Sequence, residues 1–126
     1  MKNIKNMAVA RLMREYQEFM EDATVQNLRA SPASEDNLFL WDAYLIGPKD
    51  SKYDGQEFHV QLKFSDDYPF VPPKVSFLTP IKHPHIYKDG HVCLDTIGTN
   101  GSAWSPAHTV ISLLNTLLAL LDTLHG

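Results

Sequence analysis

The residues best suited to chemistry lie close together between positions 83 and 95. His83, His85, His91 and Cys93 form the pattern H-x-H-x5-H-x-C, and Asp95 follows two residues later. Cys93 is the only cysteine of the chain, so any thiol chemistry must use it and no intrachain disulfide can form. A single cysteine is often a small buried hydrophobe. Here the cysteine lies among polar neighbours outside the predicted helices and strands, and such surroundings favour the reactive thiolate.

The histidines and the cysteine could instead hold a zinc ion. Structural zinc sites usually combine a C-x2–4-C pair with an H-x3–5-H pair. His85 and His91 have the second spacing, but the single cysteine cannot supply the first, so the segment matches none of the usual patterns. Pro84 also restricts the backbone between His83 and His85. We therefore predict no metal site. A cysteine–histidine hydrolase is a second alternative, but it needs a base that a third group orients, and no local signature of such families is present.

The elements that must position these residues indicate an α+β fold. Residues 7–20 have helical periodicity, and the apolar stripe of this helix is formed by Val9, Leu12, Met13, Tyr16 and Met20. Strands are predicted at 24–30, 38–46, 57–64 and 74–78. Because their connections are short, the simplest topology is a four-stranded antiparallel meander.

A second helix follows a long proline- and glycine-rich loop that we interpret as ordered and functional. Ser105 is the predicted N-cap of this helix and Pro106 its first residue. Apolar residues then repeat at helical spacing from Val110 to Leu124, which predicts a helix that lies across the sheet.

Length and charge limit the classes of function. The 126 residues fit one domain, and the net charge of −4 argues against nucleic-acid binding, which requires a basic surface. No apolar run approaches the roughly 18 residues of a membrane span, and no signal-peptide pattern is present. The first 14 residues contain four basic residues and no acidic one, which indicates either an acidic partner or a solubilising helix face: Lys2, Lys5, Arg11 and Arg14.

Four motifs together resemble the ubiquitin-conjugating enzymes. They are Y-P-F-V-P-P-K-V at 68–75, H-P-H-I at 83–86, G-H-V-C-L-D at 90–95 and W-S-P-A at 104–107. The family pattern has Y-P-F-x-P-P-K-V, H-P-N-[IV], G-x-[IV]-C-L-D and W-S-P-A in the same order. The resemblance runs from about Arg11 to Asp122, and it implies a single UBC-like domain over 1–126 that lacks the usual C-terminal helices.

The resemblance implies that Cys93 accepts ubiquitin as a thioester from an activating enzyme and passes it to a substrate amine. A ligase of RING or U-box type would assist, in the cytoplasm, the nucleus or both. No cofactor is expected, because the activating enzyme uses the ATP. Two alternatives stay open: a non-catalytic ubiquitin-binding or adaptor variant, and a conjugating enzyme for a ubiquitin-like modifier.

The resemblance also implies roles for the flanking residues. His85 stands where the family has Asn, and its ring could stabilise the oxyanion or support the loop. The H-P-H motif is similar to that of W-type members, which modify N-terminal α-amines, whereas Asp95 matches the acidic residue that helps an incoming lysine. The sequence leaves this choice of acceptor open.

A partner-binding surface is also implied. It comprises Phe70, Pro106 and Ala107, supported by Arg11 and Arg14. Phe70 lies between prolines in a loop, where burial in a strand is not expected. The alternative is that Phe70 packs on its own loop.

Overall fold

In the part of the chain that the structure describes, two helices pack on one four-stranded antiparallel sheet. The computed structural model describes residues 3–22, 27–34, 36–92 and 104–122. Within them the elements, in chain order, are helix α1 (Asn3–Glu21), strands β1 (Leu28–Ser34), β2 (Asn37–Ile46), β3 (Glu57–Lys63) and β4 (Lys74–Phe77), and helix α2 (Val110–Asp122). The strand order is β1-β2-β3-β4 and each neighbouring pair is antiparallel, which confirms the predicted meander.

The core lies between one face of the sheet and the helices. In the β2–β3 register Trp41 faces Leu62 and Ala43 faces Val60, so alternate residues of both strands enter the core. Trp41 is fully buried, and its indole N–H donates to the carbonyl of Leu38 at 2.8 Å. Helix α2 adds five buried residues: Val110, Leu113, Leu114, Leu117 and Leu121. Within the described part of the chain, neither helix has the length and apolar character to cross a membrane.

The buried face of α1 differs from the predicted stripe. Met13 and Met20 are 57% and 68% exposed, whereas Phe19 is buried and so is Glu15. Helical periodicity allows two overlapping apolar stripes on this sequence. The structure uses the one that carries Glu15, because that carboxylate finds hydrogen-bond donors in the interior.

The predicted start of α2 was wrong. The helix begins at Val110, and Thr109 is its cap: Thr109 Oγ1 accepts the N–H of Ser112 at 3.1 Å, while Ser112 Oγ accepts the N–H of Thr109 at 2.8 Å. This reciprocal pair satisfies helix-terminal donors. Ser105 instead begins a separate turn, in which its carbonyl accepts the N–H of His108 at 3.0 Å. Pro106 therefore lies in this turn and not in the helix.

The first strand extends further along the chain than predicted. Residues 24–26 of the strand predicted at 24–30 lie outside the described residues. The observed β1 runs from Leu28 to Ser34 and continues through Pro32. In the described sheet β1 is an edge strand, where a proline without an N–H is tolerated. The register shifts between Pro32 and Ser34, which is the irregularity that a proline in a strand favours.

Candidate active site

The chain segment that leads to Cys93 is fixed against β4. Val92 is buried and its N–H donates to the carbonyl of Val75 at 3.0 Å. Gly90 has φ +93°, and a Cβ at this position would lie 2.1 Å from the carbonyl oxygen of Phe77, so only glycine fits. Cys93 follows Val92 directly in the sequence. Cys93 itself and the predicted site residue Asp95 lie outside the described residues.

The H-P-H motif forms a turn that pairs with this segment. The N–H of Ile86 donates to the carbonyl of His83 at 3.1 Å, and an antiparallel bridge joins Ile86 to Val92. His85 is exposed on this turn. The structure thus brings the turn that carries His85 beside the residue that precedes Cys93.

The buried His83 side chain holds the turn in place through two hydrogen bonds. Its Nδ1 accepts the backbone N–H of His85 at 3.0 Å, so this nitrogen carries no hydrogen. The other nitrogen, Nε2, is then the protonated one and donates to the carbonyl of Leu120 at 3.1 Å. Burial lowers the pKa of His83, which favours this neutral ring.

This arrangement leaves His83 without a lone pair for a metal ion, because both ring nitrogens have protein partners. Across the described residues, no group of three or more His, Cys, Asp or Glu side chains is arranged to hold a metal. The sequence indicates His83 as a possible zinc ligand, as a possible hydrolase base and as part of the H-P-H motif, but not as a support for the turn. Its contact with α2, 37 residues later, has no local signal.

Four of the five predicted partner-binding residues line one shallow groove of about 290 Å³, here called the Phe70 groove. It lies between α1 and the loop after β3, and it is lined by Met7, Arg11, Arg14, Asp66, Tyr68, Pro69, Phe70 and Pro106. Phe70 is 69% exposed, as expected from its place between prolines. Ala107, also exposed, follows Pro106 directly. The structure therefore brings the apolar residues of this prediction together at the surface.

The two predicted arginines differ in their availability. Arg11 is 18% exposed, and its Nη2 donates to the carbonyls of Pro106 at 2.9 Å and His108 at 3.0 Å. Arg14 is 63% exposed and contacts the exposed Glu18 at 3.3 Å. Arg14 can offer its charge to a partner, whereas the guanidinium of Arg11 is engaged within the protein.

Glu15 is a site residue that sequence reasoning missed. Its side chain is 3% exposed and accepts hydrogen bonds from Arg11 Nε, the Tyr68 hydroxyl and the backbone N–H of Val110, each at 2.6 Å. Burial, then the hydrogen bond to Glu15, raise the pKa of Tyr68. The i,i+4 spacing of Arg11 and Glu15 was the one local signal, and it also occurs in exposed pairs.

Trp104, the first residue of the W-S-P-A motif, contacts residues that line the Phe70 groove. Its indole N–H donates to the carbonyl of Pro69 at 2.7 Å, and its ring centroid is 6.0 Å from that of Tyr68. Trp104 therefore contacts the backbone immediately before Phe70. The loop after β3 and the segment before α2 are held together at this point.

The helix–meander–helix order of the described residues, with a histidine turn paired to the segment that precedes Cys93, defines a UBC-like fold, as the sequence motifs predicted. The sequence profile of the family described as ubiquitin-conjugating enzyme matches residues 11–125. The solved structure of human ubiquitin-conjugating enzyme E2 G1 is similar with a TM-score of 0.83 at 31% identity, covering 93% of this chain and 95% of that chain.

A curated relative agrees with this assignment. Ubiquitin-conjugating enzyme E2 1 of Caenorhabditis elegans is 35% identical over 112 residues, which cover 89% of this chain and 56% of that protein. The chain thus spans little more than half the length of this relative. The profile match covers most of the chain, and the protein belongs to the ubiquitin-conjugating enzyme family.

Proposed function

We propose that this protein accepts ubiquitin on Cys93 and transfers it to a substrate amine. The observation that carries the proposal is the bridge between Ile86 and Val92, which joins the H-P-H turn to the residue before the single cysteine. Membership of the ubiquitin-conjugating enzyme family supports the same chemistry.

The chemistry consists of two acyl transfers. In the first, the Cys93 thiolate attacks the thioester that links the ubiquitin C-terminus to an activating enzyme, and the thiolate of that enzyme leaves. In the second, a neutral substrate amine attacks the new thioester, an amide bond forms, the Cys93 thiolate leaves, and the amine gives up a proton. Each attack passes through an oxyanion that a hydrogen-bond donor stabilises, and His85 is the proposed donor or loop support.

The proposed partners are ubiquitin, its activating enzyme and a ligase of RING or U-box type. The Phe70 groove is the proposed ligase-binding surface, with Phe70 and Pro106 among its exposed apolar residues and Arg14 as its available positive charge. The exposed Ala107, next to Pro106 in the sequence, is proposed to extend this surface. Because the activating enzyme uses the ATP, no cofactor is proposed for this chain.

A loading assay tests the proposal directly. The protein is incubated with ubiquitin, ATP and a ubiquitin-activating enzyme, and the product is analysed with and without reducing agent. Since the chain has one cysteine, a thiol-sensitive adduct can form only on Cys93. Cys93→Ser should abolish that adduct, with an oxyester accumulating in its place, because the serine hydroxyl is the weaker nucleophile and its ester the less reactive.

Three results would contradict the proposal. Absence of any adduct with ubiquitin would favour a non-catalytic ubiquitin-binding or adaptor protein. An adduct that forms only with a ubiquitin-like modifier and its own activating enzyme would keep the chemistry but change the modifier. Normal discharge by Cys93→Ser would remove Cys93 as the nucleophile.

A further inference from the structure

Glu15 is a buried carboxylate that connects three separate parts of the chain. Its Oε2 accepts hydrogen bonds from Arg11 Nε on α1 and from the Tyr68 hydroxyl on the loop after β3. Its Oε1 accepts the N–H of Val110, the first residue of α2. All three partners are donors, so a carboxylate that only accepts satisfies every one, whereas an amide of the same shape does not.

Two of these partners line the Phe70 groove. Tyr68 precedes Phe70 by two residues and is one of the lining residues. Arg11 also lines the groove and lies over the Tyr68 ring, with its Cζ 5.8 Å from the ring centroid. Oriented by its bond to Glu15, Arg11 donates to the carbonyl of Pro106 at 2.9 Å. One carboxylate therefore binds two residues of the lining and, through Arg11, is connected to a third.

We propose that Glu15 is a positioning residue for the Phe70 groove and sets the affinity of the groove for the protein that docks there. Glu15 is not among the residues that line the groove, so its effect passes through Tyr68 and Arg11. The identity of the docked protein, a RING or U-box domain, rests on the proposed function. The part that Glu15 plays in the geometry of the groove is independent of that function.

Two substitutions test the role from opposite ends of one hydrogen bond. Glu15→Gln keeps the shape but turns an amide N–H₂ toward a donor. Tyr68→Phe removes only the hydroxyl and keeps the ring, which packs against Phe64 at 4.8 Å between centroids. In Tyr68→Phe the buried carboxylate of Glu15 keeps its hydrogen bonds from Arg11 and Val110. This variant therefore serves as the test if Glu15→Gln fails to fold.

Matched controls make the same chemical changes away from the groove. Glu57→Gln alters a carboxylate that pairs with Arg29 on β1 at 3.2 Å, where both side chains are exposed. Tyr44→Phe removes a tyrosine hydroxyl from β2, where the ring stacks on His59. Neither control residue lines the groove.

The first readout is structural and needs no activity. The chain has two tryptophans, the fully buried Trp41 and Trp104, which contacts the loop before Phe70. In protein labelled with 5-fluorotryptophan, Glu15→Gln and Tyr68→Phe should shift or broaden the fluorine resonance of Trp104 and leave that of Trp41 in place. The two controls should move neither resonance. Equal movement of both would indicate general loss of structure and would overturn the positioning role.

The second readout is functional. The protein is loaded with ubiquitin, and discharge to free lysine is followed while an isolated RING domain that stimulates the wild type is titrated. Both test variants should raise the half-saturating RING concentration about ten-fold, and combination with Phe70→Ala should add little further, because all three changes act on one surface. A merely structural role would lower the melting temperature but leave half-saturation unchanged.

The outcomes separate the inference from the proposed function. A wild type that forms no thioester contradicts the proposed function, and the Trp104 resonance then decides on Glu15 alone. In an active protein, an unchanged Trp104 resonance or an unchanged half-saturating concentration overturns the positioning role. A Trp104-specific shift together with weaker RING binding supports it.

Discussion

His83 accepts the backbone N–H of His85 on Nδ1 at 3.0 Å, so the exposed histidine of the H-P-H turn is held by the buried one. The same ring reaches the carbonyl of Leu120 on α2 through Nε2. A proton on Nδ1 would place two hydrogens against each other and break the first bond. The turn beside the cysteine segment is therefore coupled to the protonation state of His83.

This coupling predicts a loss of stability in mild acid. The pKa of a histidine in the unfolded chain is about 6.5, and burial lowers the pKa of His83 in the folded protein. Above pH 6.5 the His83 ring is neutral in both the folded and the unfolded chain, and its contribution to the free energy of unfolding is complete. As the pH falls below 6.5 the unfolded chain gains a proton that the folded protein does not, so the free energy of unfolding decreases until the lowered pKa is reached.

Urea denaturation between about pH 5 and pH 7.5 measures this effect. The free energy of unfolding of His83→Gln, which has no ring to titrate, should fall less steeply with decreasing pH than that of the wild type. The difference between the two curves isolates His83 from the other histidines. Parallel curves would show that His83 does not cause the acid sensitivity.

The two arginines of α1 should differ in their contribution to stability. Arg11→Ala removes the partner of a buried carboxylate and is expected to cost about 3 kcal/mol in the free energy of unfolding. Arg14→Ala removes one member of an exposed pair and should cost less than about 0.5 kcal/mol. Equal losses in urea denaturation would contradict the assignment of Arg11 to the interior.

Arg14 is consequently the clean probe of the predicted electrostatic contact with the activating enzyme. Arg14→Glu should slow ubiquitin loading at low ionic strength, where surface charges are least screened, and the effect should shrink as salt is added. Arg11→Glu cannot serve here, since it also disrupts the buried ion pair. Unchanged loading of Arg14→Glu at low salt would remove Arg14 from the partner surface.

The sequence predicted the sheet well because its signal is local. Alternation in Phe58, Val60 and Leu62 gives the buried face of β3 without knowledge of the neighbouring strands. The buried face of α1 could not be predicted in the same way. Glu15 is stabilised in the interior by Tyr68, 53 residues away, and by Val110, 95 residues away, and no local rule gives such partners.

The residues of the candidate site also differ in whether a local sequence signal identifies them. Motif order indicated Cys93, His85 and the exposed Phe70, because each motif is a short segment whose residues can be read directly. The residues that hold these segments in place, Glu15 and His83, are identified only through contacts with distant elements. The shift of the α2 cap to Thr109 has a similar cause, since the adjacent turn also begins with a serine that forms helix-like bonds.

Substitutions of His85 test its predicted part in transfer. His85→Asn keeps a side-chain N–H donor and should retain substantial discharge activity. His85→Ala removes the donor, and loss of one oxyanion donor typically reduces the rate by about 10²–10³. Single-turnover discharge of preloaded protein measures both. Since His85 is exposed, neither change should lower the melting temperature strongly, and equal rates for His85→Ala and wild type would show that the side chain has no part in the reaction.

The choice of acceptor amine depends on two residues, His85 and Asp95, that favour different answers. An α-amine has a reference pKa of about 7.7–8.0, against about 10.4 for lysine, so it is more often neutral near pH 7.5 and needs less help to lose its proton. If the H-P-H motif sets the preference, preloaded protein should discharge faster to a lysine-free peptide with an unblocked N-terminus than to an N-terminally blocked lysine peptide. If Asp95 sets it, the blocked lysine peptide should react faster, and Asp95→Ser should depress that rate strongly while sparing the α-amine. In the first case the rate should fall as the α-amine becomes protonated below about pH 7.7. Faster transfer to the blocked lysine peptide would contradict the N-terminal preference and assign the protein to the lysine-modifying members of its family.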